Sequence, residues 1–113
     1  MSLRLDDGNG GTIVVAGHIC LDIIPAMRGS RDPNVSELLA PGKLVDIGPA
    51  VMATGGAVSN TGLALHRLGL PATLMGKVGD DLFGDAIVAK LRGYGERLAE
   101  GMIVAEGESS SYS

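Results

Sequence analysis

The glycine pair Gly55-Gly56 is the first stretch of this sequence with residue types suited to binding a small molecule. It breaks an extended segment and opens directly into a helix. Glycine lets the backbone adopt positive φ and approach a ligand closely, and a helix start offers free N–H groups and the positive end of the helix dipole. An oxygen-rich or anionic ligand would suit this turn, although an ordinary strand-to-helix connection uses the same residues.

Asp22 and Asn60 are the polar residues that could accompany this turn. Asp22 lies a few residues beyond the carboxyl end of a predicted central strand, which is where ligands bind in open α/β sheets. If it lines a cleft, its carboxylate can accept hydrogen bonds from sugar hydroxyls in two directions. Taken singly, a solvated strand carboxylate explains Asp22, and a local cap or a solvent-facing amide explains Asn60.

Other reactive residue types have simpler explanations. Asp80 and Asp81 precede an apolar-periodic helix, so we interpret them as a helix N-cap rather than a metal site. His18 and His66 lack partners at metal-ligand spacing. Cys20 has no nearby positive charge to lower its pKa, which favours a buried, unreactive thiol. Neither a P-loop nor a dinucleotide-binding fingerprint is present.

Composition excludes several function classes. The 113 residues are 45% hydrophobic and 19% charged, a globular balance, and the net charge of −4 without a basic stripe argues against nucleic-acid binding. No apolar run approaches the roughly 20 residues of a membrane span. The single cysteine fits a reducing compartment, with the cytoplasm as the default.

The pattern of elements predicts a parallel α/β domain. Residues 1–11 form a flexible N-terminal lead, and residues 25–41 form a surface excursion with at most a turn of helix at 36–39. Residues 19–24 continue the first strand as a half-exposed strand, and short extended pieces at 44–47 and 49–52, around Gly48, predict a small secondary sheet. The main elements are core strands at 12–17, 71–79 and 102–105 and helices at about 57–68 and from 82 to about 92.

This set of elements makes only part of a doubly wound sheet, and at least one apolar strand edge would stay unpaired. The chain therefore either self-associates or is part of something longer. Gly62 within the first helix costs about 1 kcal/mol relative to alanine, which indicates that a neighbour packs too closely there for a β-carbon.

Several features occur in a fixed order along the chain: Gly17-x4-Asp22, the small sheet, Gly55-Gly56-x3-Asn60, a helix ending in Arg67-Leu68-Gly69, and Val78-Gly79-Asp80-Asp81-Leu82-Phe83-Gly84. Together, from about residue 12 to residue 113, they resemble the N-terminal part of the PfkB (ribokinase-like) family of carbohydrate kinases. Two positions depart from the family pattern, because Val58 stands where a small residue is usual and Gly62 where Ser, Thr or Ala is usual.

The resemblance implies a three-layer α/β/α fold with a small β-sheet lid at about residues 20–25 and 43–53, incomplete in this chain. It also implies that Asp22, Gly55, Gly56 and Asn60 line a pocket for a sugar or nucleoside. In ribose-specific members a polar amide often stands at the position of Cys20, so the substrate or one of its contacts differs here. A homodimer through the lid is one form that self-association could take.

The same resemblance implies phosphorylation of a sugar or nucleoside hydroxyl with ATP and Mg²⁺. The family's catalytic aspartate lies in a Gly-Ala-Gly-Asp stretch of the C-terminal half, next to the ATP site, and this chain has no such stretch. The most similar stretch is Gly93-Tyr94-Gly95-Glu96, which lies at a helix end. We therefore expect no catalytic residue in this chain, and we expect it to be inactive alone. The alternative is a non-catalytic α/β module that binds a small sugar or associates with itself.

Overall fold

The computed structural model describes residues 2–4, 11–26, 40–44 and 48–113. The turn of helix predicted at 36–39 and part of the extended piece predicted at 43–53 lie outside these residues. The elements in chain order are β1 (Ser2–Arg4), β2 (Ile13–Ala16), β3 (Cys20–Pro25), β4 (Ala50–Gly55), α1 (Gly56–Arg67), β5 (Ala72–Met75), β6 (Lys77–Gly79), α2 (Leu82–Tyr94), α3 (Glu96–Ala99) and β7 (Ile103–Ala105).

Parallel strand pairs form the centre of the fold. β2 pairs with β5, with Val15 opposite Leu74, and both side chains are fully buried. β6 pairs with β7, with Val78 opposite Val104. Continuous apolar, β-branched sequence is typical of strands covered on both faces. The predicted strand-helix-strand unit is therefore confirmed.

The N-terminal segment differs from the flexible lead expected for residues 1–11. Ser2–Arg4 forms an antiparallel edge strand on β2, with Leu3 opposite Val15. An edge strand offers unpaired N–H and C=O groups to any extended backbone. Such pairing needs no side-chain pattern, so residue types alone do not predict β1.

Helix α1 runs from Gly56 to Arg67, within one residue of the predicted limits. Gly69 follows with φ of +80°, and its N–H bonds to the carbonyl of His66, as expected for a glycine after a helix end. The prediction for Gly62 is also confirmed, because a β-carbon there would lie 2.7 Å from Cγ of Leu74. The missing side chain lets α1 lie directly on β5.

Helix α2 begins after Asp81, whose side chain accepts a hydrogen bond from the N–H of Gly84 at 2.8 Å. The predicted N-cap is thus confirmed. Ile87 and Leu91 are fully buried, as the apolar period predicts, but Leu82 is 84% exposed. As the first residue of the helix it lies beyond the apolar stripe that faces the sheet.

β3 and β4 form a small antiparallel sheet, in which Asp22 lies opposite Ala53. The segment 111–113, which we call the tail strand, runs parallel to β3. The N–H groups of Leu21 and Ile23 donate to the carbonyls of Ser111 and Ser113. A residue's N–H and C=O point to the same edge of a strand, so the tail strand and β4 occupy opposite edges of β3.

The buried apolar side chains form one cluster that joins all three sheets of the described residues to the helices. Its members are Val15, Ile19, Leu21, Val58, Leu63, Ala72, Leu74, Val78, Ile87, Leu91, Leu98 and Ala99. Leu21 lies in β3 and Ile19 directly precedes it, so the small sheet is anchored in the same core as the central strands. None of the helices in the described ranges has the length and apolar character needed to cross a bilayer.

Candidate functional site

Asp22 and Gly55 are in direct proximity at one end of the small sheet. Asp22 is the third residue of β3 and is partly buried, while Gly55 ends β4. A β-carbon built on Gly55 would lie 2.7 Å from both Cγ and Oδ1 of Asp22 and would overlap Oδ2. Gly55 has φ of −127° and ψ of −173°, values that any residue adopts. Glycine is therefore required here for space rather than for backbone conformation.

The two oxygens of the Asp22 carboxylate have different surroundings. Oδ1 accepts a hydrogen bond from the Ser113 hydroxyl at 2.7 Å and a longer one from the Cys20 thiol at 3.4 Å. Oδ2 accepts none from the part of the chain that the structure describes. Because an ionised carboxylate has acceptor capacity on both oxygens, Oδ2 keeps acceptor capacity that the described residues do not use.

Gly56 brings the start of α1 against the segment that precedes β3. Its φ is +86°, and a β-carbon there would lie 2.7 Å from the carbonyl oxygen of His18. The same carbonyl accepts a hydrogen bond from the N–H of Val58 at 3.1 Å. No side chain caps α1. Both a positive φ and a close backbone approach therefore require glycine at this position.

Asn60 is placed differently from the other predicted residues. It lies on the exposed face of α1, one turn after Gly56. Within the described residues its side chain has no hydrogen-bond partner. The structure therefore brings Asp22, Gly55 and Gly56 together through direct proximity, whereas Asn60 shares only the helix that follows them.

Ser59 is a neighbouring polar residue that the sequence did not single out. It is fully buried, and its hydroxyl donates to the hydroxyl oxygen of Thr54 at 2.6 Å. This bond joins the end of β4 to the first turns of α1, across the glycine pair. The sequence does show a serine shortly after Gly55-Gly56. Because serine is common near helix starts, where it bonds to nearby backbone groups, its position alone did not indicate a role at the site.

Cys20 lies beside Asp22 and is a buried thiol. Burial raises the pKa of Cys20, and the hydrogen bond and negative charge of Asp22 raise it further, while a backbone hydrogen bond from Gly55 acts in the opposite direction. The thiolate is thus disfavoured, which agrees with the unreactive thiol expected from the sequence.

Asp81 makes further hydrogen bonds at the start of α2. Its two oxygens accept from the hydroxyl and the N–H of Ser110, at 2.6 and 2.8 Å, in addition to the cap bond from Gly84. These bonds hold the pKa of Asp81 below its ordinary value, with the Ser110 hydroxyl as the largest cause. Asp80 accepts instead from the N–H of Gly107 at 3.1 Å. In the described part of the chain, no group of three or more His, Cys, Asp or Glu side chains could hold a metal ion.

A separate cavity of about 440 Å³ lies at the amino-terminal ends of the central strands. It is lined by Thr12, Val14, Thr73, Arg97, Glu100 and Gly101. None of the residues around Asp22 lines it. The geometry that matches the sequence-derived residues is therefore the shallow surface around Asp22 and Gly55, and not this cavity.

The sequence profile of the pfkB family carbohydrate kinases matches residues 12–97. The chain belongs to this family. The match includes Asp22, the glycine pair, Asn60 and Asp81, so the resemblance stated from the sequence is confirmed.

Known members of the pfkB family show both the likeness and its extent. Fructokinase-2 of Solanum lycopersicum is 35% identical over 99 residues, which cover 88% of this chain and 26% of that protein. Fructokinase-1 of Oryza sativa subsp. japonica is 36% identical over 88 residues, covering 78% of this chain and 24% of that protein. The chain thus spans about a quarter of the length of these relatives.

The solved structure of fructokinase with bound ATP from Xylella fastidiosa superposes with a TM-score of 0.63 at 23% identity. The superposition covers 89% of this chain and 28% of that one. It confirms the predicted ribokinase-like α/β fold, of which this pfkB-family chain contains a part.

Proposed function

We propose that the full-length protein phosphorylates a hydroxyl group of a sugar or nucleoside with ATP, and that this chain supplies the substrate-binding half. The observation that carries the proposal is the Asp22 carboxylate, which lies directly over Gly55 and whose Oδ2 accepts no hydrogen bond from the described residues. Fructose or a similar sugar is the favoured substrate, because relatives that share 35–36% identity are named fructokinases.

In this proposal Asp22 binds and orients the sugar. A carboxylate oxygen that accepts a substrate hydroxyl fixes the direction of that hydroxyl, and the absence of side chains at Gly55 and Gly56 lets the sugar ring approach the backbone. Asn60 would contact the sugar from the exposed face of α1. Phosphoryl transfer depends mostly on such positioning and on stabilising charge.

ATP and Mg²⁺ are assigned to the remainder of the protein. The described residues of this chain contain no metal-binding cluster, and the sequence has no Gly-Ala-Gly-Asp stretch. They therefore do not fit a nucleotide-metal site. ATP as the phosphoryl donor is supported by the related fold of the Xylella fastidiosa fructokinase, which was solved with bound ATP.

β3 and β4 would form part of a lid over the sugar, and two such lids could associate into a dimer. Exposed apolar residues on this sheet, among them Ile24, Val51 and Met52, are consistent with a covered surface. The buried free thiol of Cys20 suits a reducing compartment such as the cytoplasm.

The test is ADP release by the purified full-length protein, measured with fructose, ribose, glucose and adenosine in turn. We expect turnover with fructose, a large loss in Asp22→Asn, and no turnover by the 113-residue chain alone. A folded full-length protein that turns over none of these substrates would contradict the proposal. If the 113-residue chain binds a sugar but the full-length protein transfers no phosphoryl group, the alternative of a non-catalytic sugar-binding module would replace it.

A further inference from the structure

Ser110 is a buried residue directly before the tail strand, and its hydrogen bonds connect this part of the chain to the rest of the fold. It is 6% exposed, and its hydroxyl donates to Asp81 while accepting the N–H of Gly79 at 2.9 Å. Its own N–H donates to the second oxygen of Asp81. Hydrogen bonds to an ionised acceptor are about twice as strong as neutral ones. Ser110 is therefore tied to the end of β6 and to the start of α2 at once.

The tail strand begins at the next residue. Its backbone pairs with Leu21 and Ile23 of β3, and the ring of Tyr112 lies 5.0 Å from the ring of Phe83 on α2. Ser113 follows Ser110 by only three residues, and its backbone pairs with β3, so holding Ser110 limits where Ser113 can lie. In this register the hydroxyl of Ser113 meets Oδ1 of Asp22.

We propose that Asp81 is a positioning residue for the Asp22 site, and that it acts through Ser110 and the tail strand. Asp81 holds Ser110, Ser110 sets the register of the tail strand on β3, and the Ser113 hydroxyl then holds Oδ1 of Asp22, which leaves Oδ2 over Gly55. The sugar-binding part of this inference rests on the proposed function, whereas the orientation of Asp22 does not.

The competing explanation is that Asp81 only caps α2. Asp81→Asn separates the two roles, because asparagine is as good an N-cap as aspartate. Its amide group, however, places N–H donors where one carboxylate oxygen accepts the N–H of Ser110. The matched control is Asp80→Asn, which changes the neighbouring carboxylate and touches only the Gly107 N–H.

The first measurement is amide hydrogen exchange in the 113-residue chain. In Asp81→Asn we expect the amides of Leu21, Ile23 and Ser113 to exchange on the order of tenfold faster, from the loss of a charge-assisted bond. The amides of Gly84, which the cap retains, and of Gly17, which bonds to β5, should keep wild-type rates. Asp80→Asn should leave the tail-strand amides unchanged. Wild-type exchange at Leu21, Ile23 and Ser113 in Asp81→Asn would overturn the proposal.

The second measurement is fructose titration, followed by the chemical shift of the Asp22 carboxylate carbon. Ser113→Ala should change that shift in the free chain and weaken fructose binding by about tenfold, the effect of one lost hydrogen bond to a charged group. Ser113→Thr, which keeps the hydroxyl, should restore both. An unchanged Asp22 shift in Ser113→Ala would overturn the proposal, as would unchanged fructose affinity.

The two measurements distinguish an error in the proposed function from an error in the positioning role of Asp81. A wild-type chain that binds no sugar, yet shows the exchange pattern and the Asp22 shift change, contradicts the sugar site and supports the positioning of Asp22 by the tail strand. Fructose binding that is insensitive to Asp81→Asn and to Ser113→Ala supports the sugar site and contradicts the positioning role.

Discussion

The carboxylate of Asp22 occupies the space that a β-carbon at Gly55 would need. The two residues are 33 positions apart and meet only because β3 and β4 pair with Cys20 opposite Gly55. The missing side chain is therefore part of the Asp22 site. It lets the carboxylate lie over the end of β4, with Oδ1 held by Ser113 and Oδ2 against Gly55.

Gly55→Ala should displace the Asp22 carboxylate and weaken fructose binding strongly, because the added methyl group overlaps the carboxylate while the backbone conformation suits alanine. Calorimetric titration with fructose checks this. Gly93→Ala is the control, since a β-carbon at Gly93 meets nothing within 4 Å. Equal affinity in wild type and Gly55→Ala would show that the Asp22 carboxylate does not contact the sugar.

Two of the helical glycines, Gly62 and Gly93, should respond oppositely to alanine. Gly62→Ala places a β-carbon against Leu74 in the core and should lower the free energy of unfolding by about 1–3 kcal/mol, as overpacking does. Gly93→Ala fills open space and should raise it by about 0.5–1 kcal/mol through higher helix propensity. Urea unfolding measures both. A stabilised Gly62→Ala would mean that α1 is not in close contact with β5.

Cys20 should react slowly with iodoacetamide at neutral pH, because burial and the neighbouring Asp22 raise the thiol pKa and leave little thiolate. Asp22→Asn should increase the rate only modestly, since burial is the larger cause of the raised pKa. The rate is followed by mass spectrometry, with the urea-unfolded chain as the reference. Labelling as fast in the folded chain as in urea would contradict the buried environment.

Stability should fall in acid partly through Asp81. The pKa of this carboxyl is lowered in the folded chain. The stabilisation of the folded chain by Asp81 is therefore complete above the unfolded pKa of about 3.9, and it is lost as the pH falls through the folded pKa. Asp81→Asn removes this dependence. The difference in unfolding free energy between wild type and Asp81→Asn should therefore shrink on acidification from pH 6 to pH 3. A difference that stays constant across this range would contradict the assignment.

Local patterns in the sequence predicted the features that depend on local interactions. The limits of α1, the glycine after its end and the cap at Asp81 follow from backbone geometry within a few residues, and all three are confirmed. The requirement for glycine at position 62 followed from its cost in a helix, and the contact with Leu74 supplies the reason.

Contacts between distant polar segments were not predictable in this way. Ser110 and Ser113 lie in a serine-rich stretch that resembles a loop, yet they contact Asp81 and Asp22. β1 pairs with β2 through backbone groups, which any extended segment offers. Strand pairing of this kind depends on which strand edges remain unpaired in the folded chain. The residue pattern within either segment therefore does not predict it.

The bond between Ser113 and Asp22 joins residues 91 positions apart. Closing so long a loop costs conformational entropy before any contact compensates for it, and such contacts slow folding. We therefore expect the tail strand to dock after the β2–β5 pair and α1 have formed. Substitutions in the tail strand should then speed unfolding while leaving the refolding rate nearly unchanged, which makes the last segment of the chain a determinant of its kinetic lifetime.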